Sequence, residues 1–290
     1  MEIELVKTTT SDGLQLDAAL QLPRESTPPA VGVDAFCLVH GTGGNFYNSS
    51  LLGDLAERLL KLGCAVLRVN TRGHDGISTT VTAQGGVRLG AAYETVDDCR
   101  HDLHAWMDWL RQRYGQRIGL MGHSMGAIKA LYAVAHEPLQ TPVVLVAISP
   151  PRLSYTAFCR SSQARQFLQT YTRAEQLVSS AESGTLMEVQ IPLPYVITAA
   201  GYVEKYGPEE QYNFLRYLAA VRCLTLILLG SKELENNMAF QGLPQEIEAH
   251  TKRSDFLRME IIAGADHFYT GLRLELADRV EQWLRSLPLL

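Results

Sequence analysis

In the stretch GLMGHSMGAIKAL, residues 119–131, Gly122, Ser124 and Gly126 alternate with His123 and Met125. Glycine has the most conformational freedom to lose on folding, so its clustering beside one serine needs a reason. An apolar run, RIGLMG at 117–122, precedes the serine, and a helical pattern follows it. In that setting G-x-S-x-G makes a sharp strand-to-helix turn that holds the serine hydroxyl out as a nucleophile. The helix behind the serine also offers unpaired N–H groups and the positive end of a dipole. A plain strand–helix turn is the competing reading, and the rest of the chain decides between them.

A serine nucleophile needs a base. Of the eight histidines, His267 in IIAGADHFYTG follows the last predicted strand by a few residues, just before the final helix. The base needs an acid to orient it. LTLILLGSKELENNM ends a strand at Gly230, and Glu233 comes three residues later, with Glu235 as its competitor. Asp255, which precedes the last strand, and Asp266 are less well placed. The fourth part is a site for negative charge on oxygen. LVHGTGGNF puts His40-Gly41-Thr42-Gly43-Gly44 at the end of an earlier strand, where little side chain separates backbone N–H groups from a ligand. The amides of Thr42 and Met125 are the expected oxyanion donors, each worth roughly 3 kcal/mol in a transition state. Ser124, Glu233 and His267 each follow a different predicted strand, which places them on one sheet edge.

The strands are short, nearly continuous apolar runs at 33–40, 64–70, 117–122, 143–149, 223–230 and 257–264. Such runs suit a parallel sheet buried on both faces. Helical patterns at 49–63, 93–115, 124–137, 243–254 and 270–287 alternate with them. EIELVKTT and LQLDAALQL flank Ser11-Asp12-Gly13 and read as an antiparallel hairpin. The expected fold is α/β: a mostly parallel sheet, an N-terminal antiparallel hairpin, and helices on both faces.

Residues 150–222 break this rhythm, because no buried strand is expected there. AFCRSSQARQFLQTYTRAEQLVSS and GPEEQYNFLRYLAAVR read as amphipathic helices around the apolar IPLPYVITAAGYVEKYG. A structureless loop of that length does not fit a compact domain, so a helical cap inserted into a core of 1–149 and 223–290 is expected. Its aromatic residues Tyr195, Tyr202, Tyr206, Tyr212, Phe214 and Tyr217 either line an acyl pocket or pack cap against core, and packing is the commoner fate.

Composition bounds the function. With 290 residues, 46% hydrophobic, 20% charged and a net charge of −5, the chain reads as a globular protein without the basic footprint of a nucleic-acid binder. It has no apolar run of 18 residues to span a membrane and no signal-peptide pattern at its start. Five scattered cysteines, without C-x-x-C, suggest buried thiols in a reduced, cytoplasmic setting. HDLH at 101–104 puts two histidines one turn apart, but Trp106 and Trp109 beside them favour an ordinary amphipathic helix over a metal site. RGHDGIS is glycine-rich without a Walker lysine.

Together HGTGG, NTRGHDGIS, GHSMG, GSKE and GADHF resemble the α/β-hydrolase superfamily, in a serine-triad, esterase-like or lipase-like form. The chain departs from the RGHG-S loop of many such proteins by inserting Asp75, and it offers glutamate where most have aspartate as the acid. The resemblance implies acyl transfer to water. Ser124 attacks the carbonyl of a small acyl ester or thioester, His267 moves the proton, and Glu233 fixes the imidazole, with no metal or organic cofactor required. Thioesterase or acyltransferase chemistry would use the same triad, and a noncatalytic, ligand-binding member is a third reading.

Overall fold

Thr10 to Leu14 turn the chain back on itself. The Thr10 amide donates to the Leu14 carbonyl at 2.8 Å, and Gly13 takes a φ of 87°, which a side chain would resist. The turn joins β1 (Ile3–Thr9) to β2 (Gln15–Gln21) antiparallel, in register from Ile3–Gln21 to Thr9–Gln15, as the sequence predicts. The computed structural model describes residues 3–24, 28–82, 85–137, 141–251 and 254–288. Glu2 of the predicted hairpin, Ala83 and Gln84 of the glycine-rich run, and Lys252 and Arg253 of the helical pattern at 243–254 lie outside the described residues.

The α/β alternation follows. β3 (Ala35–Val39) leads to α1 (Ser50–Lys61), whose N-cap Ser49 hydroxyl accepts from the Leu52 amide. The helix buries the predicted stripe of Leu51, Leu52, Leu55 and Leu59 and stops at Gly63, with φ 85°. After β4 (Ala65–Val69), the glycine-rich run forms a two-stranded hairpin of β5 (Ser78–Thr82) and β6 (Gly85–Leu89). Then come α2 (Cys99–Tyr114), β7 (Ile118–His123), α3 (Met125–His136) and β8 (Val144–Ile148).

Between residues 150 and 222 the elements differ from the two long helices that the sequence predicts. α4 (Tyr155–Arg160) and α5 (Ala164–Ser179) share the first predicted helix, broken at 161–163. A hairpin, β9 (Leu186–Val189) and β10 (Tyr195–Thr198), was hidden because only four residues pair on each side and Pro192 and Pro194 sit in its turn. α6 (Ala199–Tyr206) follows directly, in the apolar stretch between the two predicted helices. The expected helix at 207–222 is instead a set of turns with short 3₁₀ segments at Phe214–Arg216 and Leu218–Ala220. Pro208 and the positive φ of Glu210, 47°, oppose a continuous helix there. The chain re-enters the sheet at β11 (Leu224–Gly230) and closes with α7 (Ser231–Asn236), α8 (Leu243–Thr251), β12 (Leu257–Ile262) and α9 (Arg273–Ser286).

The eight-stranded sheet has the order β1-β2-β4-β3-β7-β8-β11-β12, antiparallel through β4 and parallel from β4 onward. Successive strand residues feed opposite apolar clusters. Cys37, Leu67, Leu120 and Leu145 pack with Leu103, Trp106 and Ile128 of α2 and α3, while Phe36, Val66, Met121 and Val146 pack with Leu55, Val280 and Trp283 of α1 and α9. Burying each such side chain contributes about 1.5–3 kcal/mol. The parallel strands β3, β7, β8, β11 and β12 end at one edge, where ligands of open α/β sheets bind. Among the described residues, no helix is long and apolar enough to cross a membrane.

Candidate active site

Ser124 stands between the last residue of β7 and the first of α3, with φ 57° and ψ −124°. A non-glycine residue held there costs on the order of 1–3 kcal/mol, which the surrounding backbone must over-determine. The Ser124 amide donates to the Ile148 carbonyl at 2.9 Å. A Cβ on Gly122 would stand 2.2 Å from the Gly126 carbonyl oxygen, and one on Gly126 would stand 2.4 Å from that of Val39. Both glycines are therefore demanded by backbone crowding, and the turn is the sharp one that the sequence predicts.

Three side chains meet at this edge. His267, in the loop after β12, places Nε2 2.9 Å from Ser124 Oγ and Nδ1 2.8 Å from Glu233 Oε2. A carboxylate only accepts, so Nδ1 carries the proton and Nε2 accepts from the serine hydroxyl. Glu233 comes from the first turn of α7 and is buried, whereas Glu235, its competitor, points to solvent. Asp255 is exposed, and Asp266 spends its carboxylate on the Phe268 and Thr270 amides of its own turn.

Glu233 is held on its other oxygen as well. Oε1 accepts from the Gly230 amide at 2.7 Å and from the Ser149 hydroxyl at 2.6 Å. Ser149 follows β8 directly in a left-handed conformation, φ 47°, and is fully buried. Its one proton goes to Glu233, so the Tyr269 hydroxyl, 3.0 Å away, donates to Ser149 Oγ. Burial and the Glu233 charge push the Tyr269 phenol well above its ordinary range. His123 is a second support. Its Nε2–H donates to the His267 carbonyl at 2.8 Å, and the two rings lie 4.9 Å apart. Burial, then the neighbouring His267, push His123 down to about 3, so it stays neutral. Neither Ser149 nor His123 was singled out as a support from sequence, and only the position of His123 inside GHSMG hinted at it.

The loop after β3 lies against the serine. A Cβ on Gly41 would be 3.0 Å from Ser124 Cβ. His40 braces this loop: Nδ1–H donates to the Gly41 carbonyl at 2.8 Å, and Nε2 accepts from the Thr71 amide at 3.2 Å. Burial, then Lys129, lower His40 to about 4. Thr42 and Met125 both border a cavity of about 600 Å³ that also reaches Ser124 and His267. Its apolar wall includes Leu153, Leu193, Ala239 and Phe240. Of the insertion's aromatic residues, Tyr202, Tyr206, Tyr212 and Phe214 are buried in the core cluster, and none of the six flagged residues lines the cavity.

The NTRGHDG stretch meets buried charged groups through Arg72 and Gly73. Arg72 binds buried Asp102 with Nε and Nη2, at 3.0 and 2.8 Å, and reaches Asp12 at 2.8 Å. Gly73 leaves room for Glu94, whose carboxylate pairs with Lys129 of α3 at 2.5 Å and Lys205 of α6 at 3.4 Å, all three side chains buried. Lys129 also donates to Thr71 Oγ1 at 3.0 Å. His101 contacts Ser11, and His104 pairs with Asp108 and Glu137; among the described residues no group of three or more potential ligands could hold a metal ion.

A family profile described as "Alpha/beta hydrolase family" matches residues 38–282. No curated protein sequence matches the chain. Among solved structures, it is similar to Est1E from Butyrivibrio proteoclasticus with ferulic acid bound (18% identity, TM-score 0.65, covering 96% of this chain and 98% of that one). It is also similar to the esterase Pf2001 from Pyrococcus furiosus (20%, 0.63, 98% and 91%). The alpha/beta hydrolase GrgF from Penicillium sp. sh18 is a third similar structure (15%, 0.70, 98% and 98%). Likeness at these identities speaks for the fold.

Proposed function

Because the chain belongs to the alpha/beta hydrolase family, we propose that it is a serine hydrolase cleaving a small carboxylic ester through an acyl-enzyme on Ser124. The observation that carries this reading is the line Glu233–His267–Ser124, closed by hydrogen bonds of 2.8 and 2.9 Å at the wall of the cavity. His267 Nε2 takes the proton of Ser124 Oγ as the oxygen bonds to the ester carbonyl carbon. The carbonyl oxygen becomes an oxyanion, held by the amides of Thr42 and Met125. His267 then gives the proton to the leaving alcohol as the C–O bond breaks, and Glu233 stabilises the imidazolium in the interval. Water repeats the cycle on the acyl-enzyme, releasing the acid and restoring Ser124.

The segment 150–222 serves in this reading as a cap on a core of 1–149 and 223–290. It contributes Pro151, Leu153, Pro192, Leu193 and Pro194 to the cavity, so the shape of the acyl pocket depends on it.

Hydrolysis of p-nitrophenyl esters from acetate to long acyl chains, by the native protein and by Ser124→Ala, tests the proposal. Loss of at least 10³-fold in the variant supports the nucleophile. Equal rates in both proteins remove Ser124 from the chemistry. Release of thiol from acyl thioesters in a parallel assay reads the thioesterase variant of the same mechanism.

A further inference from the structure

The cavity is electrically one-sided. Among the described residues that line it, Arg273 is the one arginine, lysine, aspartate or glutamate, since Glu233 is buried behind His267. Arg273 opens α9, and its Nε donates to the carbonyl of Phe268, the residue after His267, at 3.4 Å. Among the described residues it pairs with one carboxylate, Asp54 of α1, at 3.6 Å from Nη1, beyond hydrogen-bond range. The Arg273 side chain is 31% exposed and that of Asp54 44%, so solvent screens this pair and a ligand can reach the guanidinium.

A guanidinium has five N–H donors in a fixed fork, matched to two oxygens of a carboxylate or phosphate. Asn48 and Ser50, at the start of α1 where it packs on α9, border the same cavity and add polar groups beside it. The apolar wall of Leu153, Leu193 and Phe240 completes a space with one hydrocarbon side and one cationic corner.

We infer that the cavity selects esters that carry an anionic group, a carboxylate or a phosphate, bound by Arg273. This rests on the hydrolase reading above for its chemistry, but its binding preference is separable from turnover. The anion displaces Asp54 from the guanidinium while the ester carbonyl reaches Ser124. A cationic ester meets no carboxylate among the described lining residues.

Two matched pairs of substrates test it. Mono-p-nitrophenyl glutarate against p-nitrophenyl pentanoate places the charge on the acyl side; 4-acetoxybenzoate against p-tolyl acetate places it on the leaving side. The native protein should favour the anionic member of one pair, which identifies the end that Arg273 holds. Arg273→Gln should lower the ratio of kcat/KM, anionic over neutral, about tenfold, and Asp54→Asn should raise it. Ratios that are equal in all three proteins for both pairs overturn the inference. If no ester is turned over, the hydrolase reading fails, and calorimetric binding of the glutarate and pentanoate esters to Ser124→Ala still decides the matter: equal affinities overturn the inference, and a preference for glutarate that Arg273→Gln removes sustains it.

Discussion

Ser149 and Glu233, 84 residues apart in the chain, meet across a 2.6 Å hydrogen bond at the ends of two neighbouring strands. The bond explains why a buried serine adopts φ 47°: the turned backbone aims the hydroxyl at the carboxylate while its amide still donates to Leu228 at 2.7 Å. Together with the Gly230 amide it saturates the oxygen of Glu233 that His267 does not use. The second oxygen is thereby left facing the imidazole.

Ser149→Ala is expected to lower kcat about tenfold with little change in KM, since a hydrogen bond to a charged group is worth about 1.5–3 kcal/mol. Ser149→Gly relaxes the backbone but also lacks the hydroxyl, so it should show a similar loss. Recovery of full activity in the glycine variant would assign the effect to strain.

Glu233→Gln should reduce kcat on the order of 10³-fold or more, because an amide does not enforce the imidazole tautomer that leaves Nε2 free to accept. Glu235→Gln, at an exposed position, should stay within about twofold. Steady-state kinetics on the two purified, folded variants checks the order, and the reverse order would move the acid to Glu235.

Glu94→Gln should destabilise the fold by about 3–5 kcal/mol, since it leaves Lys129 and Lys205 buried without their shared carboxylate. Urea unfolding reads this as a shifted midpoint at constant slope. A loss below about 1 kcal/mol would mean that the lysines find other partners.

Glu204 gives a pH-dependent test. Burial pushes its carboxyl up to about 8, against the pull of Lys205, and Oε2 has no hydrogen-bond partner among the described residues, while Oε1 accepts from the Tyr212 hydroxyl. The folded protein thus retains a proton that the unfolded chain releases near its ordinary 4.5, so stability falls as pH rises from about 4.5 to 8. Glu204→Gln mimics the protonated form. Its thermal midpoint should match the native protein's near pH 4.5 and exceed it increasingly toward pH 8; a constant difference across that range would refute the account.

The parts legible in the sequence are those fixed by local rules. Ser124 announces itself because backbone crowding at 122 and 126 admits only glycine. The strands β3, β7 and β8 are legible because burial on both faces leaves uninterrupted apolar runs. Glu233 and Glu235 differ in burial, a property of the folded edge, so spacing alone left both open. The supports from Ser149 and His123 were illegible, since their partners are 84 and 144 residues away. The hairpin β5–β6 escaped because its first strand faces solvent at alternate residues and lacks an apolar run. The segment after Gly207 misled because LRYLAAV has helical spacing, whereas its side chains are placed by tertiary packing, not by a helix.

Around Ser124, backbone crowds backbone. The space that a Cβ on Gly126 would need is taken by the carbonyl oxygens of Val39 and His40, and the space for one on Gly41 is bounded by Ser124 itself. The distance from the serine to the loop of residues 40–44 is therefore set by van der Waals contact at glycine positions, and a side chain at 126 would force the two apart. Side chains deeper in the core can exchange volume, and so can those that 150–222 contributes to the cavity wall. The approach of Ser124 to the loop of residues 40–44 is set by the glycines instead.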